Sequence, residues 1–117
     1  MASKKKDILV VGSANKAVSA VLESILGGQN VTLHMVSDRD FSVNRVVLDY
    51  AAKTNANLYG HEMREMDPVI ASLSKDSALV AFIDESLTGE QRRVCVELSD
   101  KCGKLDIKTR EFDFSVL

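Results

Sequence analysis

Apolar residues along this chain alternate between two kinds of run. Ile8-Leu9-Val10-Val11 is short, continuous and rich in β-branched and aliphatic side chains, and it stops at Gly12-Ser13. A run with no polar alternation suits a strand covered on both faces, the habit of parallel sheets. Val18, Val21, Leu22, Ile25 and Leu26 follow at i, i+3, i+4, i+7 and i+8, an amphipathic helix that Gly27-Gly28 is placed to stop. The alternation then repeats. Val31 to Val36 reads as a second strand, Ser37-Asp38-Arg39-Asp40 as a polar loop, and Val43, Val46, Val47, Tyr50 and Ala51 as a second helical stripe. A third strand is expected over Ala56 to Tyr59, closed by Gly60, although Asn55 and Asn57 form strands poorly.

Asp67-Pro68 predicts a helix start, with aspartate accepting from free N–H groups and proline giving up a donor that has no partner there. Met66, Val69, Ile70 and Leu73 mark its buried face, and Ala78 to Ile83 is a second buried strand. Thr88 and Gln91 have capping-box spacing at the start of a fourth helix. Its inner face carries Val94, Cys95, Leu98 and Cys102, Gly103 is expected to end it, and Leu105 to Thr109 to form a fifth strand. This order predicts one α/β domain over 1–117: a single doubly wound, mostly parallel five-stranded Rossmann-like sheet with helices on both faces. Strand order is open between 3-2-1-4-5 and 2-1-3-4-5.

Composition narrows the function classes. Fifteen basic and seventeen acidic residues give a net charge of -2, spread along the chain, so no broad field draws nucleic acid or an anionic membrane. Lys4-Lys5-Lys6 is the one basic run and reads as part of a flexible tail over 1–6. With no apolar stretch of bilayer length and no signal-peptide block, a cytoplasmic location is expected. Cys95 and Cys102 lie roughly 10 Å apart along one helix face, too far to pair, and read as reduced core thiols.

Ligands of open parallel sheets bind beyond the carboxyl ends of the strands, where helix N-termini and loop amides converge. The loops there supply Gly12, Ser13, Asn15, Arg39, Asn44, Arg45, Asp84, Ser86, Thr88 and Gly89 as candidate ligand-binding residues. Gly12 to Lys16 has neither GxGxxG nor GxxxxGK[ST], so neither the dinucleotide fingerprint nor the Walker loop applies. His34, inside a strand, is expected to be packed and hydrogen-bonded. His61, at a strand end beside Glu62 and Arg64, is the better functional candidate, although no His, Cys or carboxylate set has metal-ligand spacing and no cofactor is expected. A phosphorelay receiver is excluded, because the positions after the first and third strands are Gly12-Ser13 and Tyr59-Gly60 where acidic residues are required.

Three segments carry a family resemblance: Ile8 to Ser13; Ser42-Val43-Asn44-Arg45 followed by Asp49-Tyr50-Ala51-Ala52; and Asp76 to Asp84 followed by Ser86 and Thr88-Gly89. Together they make the chain similar to the SLOG superfamily of Rossmann-like nucleotide-associated domains, in particular its small YspA/cpYpsA-type members. The resemblance implies a pocket for a nucleotide or a nucleotide-derived ligand. It does not imply phosphoribohydrolase chemistry, whose Pro-Gly-Gly-x-Gly-Thr-x-x-Glu signature is missing. Two other readings remain open. One is a non-catalytic interaction module, such as a phage or mobile-element accessory protein, whose alternating tail Glu111 to Val116 either extends the sheet within the domain or packs on a second copy as a dimer. The other is a nucleoside or phosphoribosyl enzyme using Asp84 or Glu85.

Overall fold

The computed structural model describes residues 6–14, 18–26, 31–73 and 76–113. Lys4, Lys5, Asn15, Lys16, the Gly27-Gly28 stop and Phe114 to Val116 lie outside the described residues. Five strands, β1 (Lys6–Gly12), β2 (Val31–Val36), β3 (Asn57–His61), β4 (Ala78–Ile83) and β5 (Lys108–Asp113), form one all-parallel sheet in the order β3-β2-β1-β4-β5. Four helices, α1 (Val18–Leu26), α2 (Val43–Thr54), α3 (Met66–Ala71) and α4 (Gly89–Lys104), alternate with them, with a 3-10 turn (Met63–Glu65) before α3. The Rossmann-like α/β class holds, and of the two open strand orders the chain adopts 3-2-1-4-5. Lys6, expected in the tail, is the first residue of β1.

The two strongest strand runs sit at the centre. Ile8 to Val11 and all of β4 are buried, and because alternate strand residues face opposite ways, both faces of the central sheet are covered. α1 packs with α2, and α3 with α4. The edges are more exposed, β3 partly and β5 almost throughout. Cys95 and Cys102 are free and buried as expected, and burial pushes both thiols up to about 11. Among the described residues no helix is long and apolar enough to cross a membrane.

Several element boundaries differ from the pattern reading. β3 starts one residue later and runs through Gly60 to His61. At Gly60 a Cβ would lie only 3.1 Å from the Ser37 Cβ, so the missing side chain lets this edge strand pass β2 closely instead of ending there. The polypeptide becomes helical before Asp67-Pro68, because Glu62 and Glu65 form a capping box for the 3-10 turn that leads into α3. Asp67 therefore lies in the first turn of α3, where its charge suits the helix dipole, and pairs with Lys101 of α4. Gly103 does not end α4. The helix continues to Lys104 and the reversal falls on Asp106 (φ 58°), so Leu105 is left half exposed and β5 begins at Lys108. Aspartate, like Asn55 (φ 56°) after α2, tolerates the left-handed region well enough to stand in for glycine.

As a result, Glu111, Phe112 and Asp113 of the proposed dimer tail belong to β5. The Phe112 ring stacks on Phe82 at 5.6 Å between centroids, so this residue packs within the chain.

Candidate functional site

With this strand order the chain leaves β1 toward β2 and leaves β4 toward β5, so the connections diverge between β1 and β4. That point is where open α/β sheets place their ligand crevice. Its floor is set by Gly12. Glycine adopts φ 111° there, and the Ser13 N–H donates to the Phe82 carbonyl at 2.8 Å, which draws the turn tightly against β4. A Cβ on Gly12 would lie 2.0 Å from the Phe82 carbonyl oxygen. The absent side chain thus serves the close approach of two backbones.

Hydrogen bonds tie the neighbouring loops into one rim. The Ala14 N–H donates to Ser42 Oγ at 2.7 Å, joining the β1–α1 turn to the start of α2. Asn44 Nδ2 donates to the Val36 carbonyl at 3.0 Å and closes the β2–α2 loop on itself. Asp38 Oδ1 accepts from the Met63 N–H at 2.9 Å, and Gln91 Nε2 donates to the Asp40 carbonyl at 2.9 Å, which ties that loop to the segments following β3 and β4.

Asp84, just beyond β4, is held by its own loop. Its Oδ1 accepts from the Ser86 N–H at 2.8 Å and from the Ser86 hydroxyl. Partial burial raises its pKa, but hydrogen bonds from Ser86, the neighbouring Ser13 hydroxyl and the nearby Arg92 outweigh this and hold the carboxyl below its ordinary value of 3.8. A lowered folded-state pKa means the stabilisation is present above 3.8 and is lost as pH falls through the folded value. Asp84→Asn removes that contribution. In urea titrations the variant should lose less stability than the native chain between neutral pH and the acidic side of this range, and parallel pH profiles would contradict the assignment.

The predicted ligand residues differ in where the structure places them. Ser13, Arg39, Asn44, Asp84 and Ser86 are brought to the rim or its supporting loops, whereas Asn15 lies outside the described residues. Arg45 is exposed in the first turn of α2. Thr88 is committed to structure, since its Oγ1 accepts from the Gln91 N–H at 3.1 Å while Gln91 Oε1 accepts from the Thr88 N–H at 2.9 Å. Gly89 opens α4, and a methyl group in place of its hydrogen would have no neighbour within 4 Å.

Among the described residues, the buried side-chain polar atoms without a hydrogen-bond partner are Ser13 Oγ, Arg39 Nε and Asn44 Oδ1. Ser13 is only 1% exposed. Its hydroxyl lies outside hydrogen-bonding geometry in this conformation, though near enough to Asp84 to help keep that carboxyl ionised. An unpaired buried polar atom costs about 1–3 kcal/mol, so three of them on adjacent loops is an arrangement that calls for partners.

His34 is buried and hydrogen-bonded, as expected, but the identity of its partners is not visible in the sequence. They are Asp7, at the opposite end of β1 from the rim, and His61. His61 turns to His34, while its sequence neighbours Glu62 and Arg64 pair with each other. Strand register brings these residues together, and nothing in their sequence spacing shows it. Among the described residues no group of three or more His, Cys, Asp or Glu side chains could hold a metal ion. No protein-family model, curated protein or solved structure matches the chain.

Proposed function

We propose that this chain binds a nucleotide or nucleotide-derived ligand across the carboxyl ends of its strands, over the crevice between β1 and β4. The observation that carries this reading is the set of unpartnered buried atoms on the rim, Ser13 Oγ, Arg39 Nε and Asn44 Oδ1. Their chemistry is mixed: one donor-acceptor hydroxyl, one cationic donor and one amide acceptor. The ionised Asp84 beside Ser13 is an acceptor suited to the hydroxyls of a ribose and repels phosphate. The anionic end of the ligand accordingly belongs toward Arg39 and the exposed Arg45, and the sugar toward Asp84. The SLOG-like segments of the sequence point to the same class of ligand.

A thermal-shift series with nucleotides, nucleosides and inorganic phosphate tests the proposal. A ligand at a hundredfold excess over its Kd adds about 2.7 kcal/mol to stability, enough to raise Tm by roughly ten degrees in a domain of this size. Nucleotides should shift the native chain, Arg39→Ala should weaken the response to nucleotides more than to nucleosides, and Asp84→Asn should weaken both. No shift with any nucleotide, or an equal shift with inorganic phosphate alone, overturns the reading.

A further inference from the structure

Beyond the rim, a hydrogen-bonded line of side chains runs along one face of the sheet. Asp7 pairs laterally with Thr32 and His61 with Val36, so Asp7, His34 and His61 fall at alternating positions of three neighbouring strands and share that face. Asp7 Oδ1 lies 3.0 Å from His34 Nε2, and His34 Nδ1 lies 2.9 Å from His61 Nε2. Ser77 donates to the second Asp7 oxygen at 3.5 Å. The Tyr59 ring stacks on His34 at 5.8 Å.

The proton positions follow from valence. An ionised carboxylate only accepts, so His34 Nε2 carries a proton. A neutral imidazole carries one N–H, which makes His34 Nδ1 an acceptor and His61 Nε2 its donor. The remaining nitrogen, His61 Nδ1, is left with a free lone pair on a partly exposed ring at the carboxyl end of β3, on the ligand rim. Among the described residues none bonds to it.

We propose that Asp7, His34 and His61 form a proton relay that presents His61 Nδ1 as a general base toward an O–H group, an alcohol of a bound ligand or a water molecule. As the O–H bond breaks, its proton bonds to His61 Nδ1, the Nε2 proton of His61 passes to His34 Nδ1, and the oxygen keeps the electron pair. The cation thus ends on His34 against the Asp7 carboxylate, and His61 is neutral again as its other tautomer. Asp7 and His34 are positioning residues, and His61 is the group that meets the O–H. Among the described residues, the ionisable groups facing the line, besides Asp7 itself, are Tyr59 from β3 and Glu65 from the 3-10 turn. Burial and the neighbouring His34 hold the His61 pKa below its ordinary value against the pull of Glu65, which keeps the ring neutral and able to accept.

The chain has two histidines, both in this line, so imidazole nitrogen NMR on the histidine-labelled full chain reads it without overlap. At neutral pH both rings should be Nε2–H tautomers. On acidification His61 should switch to the Nδ1–H form while its ring stays neutral, a signature that mere packing does not produce. Asp7→Asn should abolish that switch. An Nδ1–H tautomer of His61 at neutral pH, or His61 itself becoming the first cation, overturns the relay. Both readings come from the native chain, so they stand even where Asp7→Asn fails to fold. The relay also does not depend on nucleotide binding, and the thermal-shift series can fail while it holds.

Discussion

Replacing Gly12 with alanine is expected to destabilise the fold by about 2–6 kcal/mol, the sum of two penalties of roughly 1–3 kcal/mol each. The first is backbone strain, since φ 111° lies outside the regions open to residues with a Cβ. The second is overlap. The new methyl would sit 2.0 Å from the Phe82 carbonyl oxygen and 2.8 Å from the backbone nitrogen and carbonyl carbon of the same residue. These atoms belong to a buried central strand and cannot swing aside as a side-chain tip would. Relief requires β1 and β4 to part, at the cost of the bond from the Ser13 N–H to Phe82 and of the geometry beneath the candidate site. Urea unfolding should show a lower midpoint at an unchanged slope. Gly89→Ala is the matched control. It has open space, helical backbone and a better helix former, and should leave stability the same or raise it by up to about 1 kcal/mol. A loss below about 1 kcal/mol for Gly12→Ala would remove the tight turn from the account.

Phe82→Ala should cost a similar amount, about 3–5 kcal/mol. Phe82 is the largest fully buried side chain among the described residues, and its ring faces Phe112 at 18° between planes. Truncation removes the transfer energy of the ring and leaves a void that two hydrogen-bonded neighbouring strands cannot close. Phe112→Ala, at a less buried position on an edge strand, should cost about half as much. The pair of measurements also bears on assembly. Because Phe112 is used inside the chain, its loss should alter stability and leave the sedimentation mass unchanged, and a fall in mass would return this residue to an interface.

The class of fold is legible in the sequence because its signals are local. The runs Ile8 to Val11 and Ala78 to Ile83 read as buried strands, and both are buried. The stripe of α2 and the Thr88–Gln91 capping box appear where their spacing places them. The misplaced boundaries share one cause. Glycine and proline read as punctuation, but Gly60 and Gly103 stay inside their elements, while Asp106 and the Glu62–Glu65 pair make the turns instead. Each side chain's contacts, and not its type alone, decide whether an element ends there.

The candidate site is legible only as a set of loops. Parallel strands with helical crossovers must deliver their loops to one rim, so Ser13, Arg39, Asn44 and Asp84 can be named from order alone. Which of the loop residues are structural is not visible at that level. Gly12 and Thr88 have the chemistry of ligand contacts, yet they are occupied by backbone approach and capping. By itself, then, the sequence determined the alternation of elements, the buried runs and the loops that gather at the carboxyl ends of the strands, because hydrophobic period and chain connectivity act over a few residues. Tertiary structure alone decided the strand order, the unpartnered atoms of the rim and the line from Asp7 through His34 to His61. Those depend on the register between strands distant in sequence, and a shift of one residue would turn every one of these side chains to the opposite face.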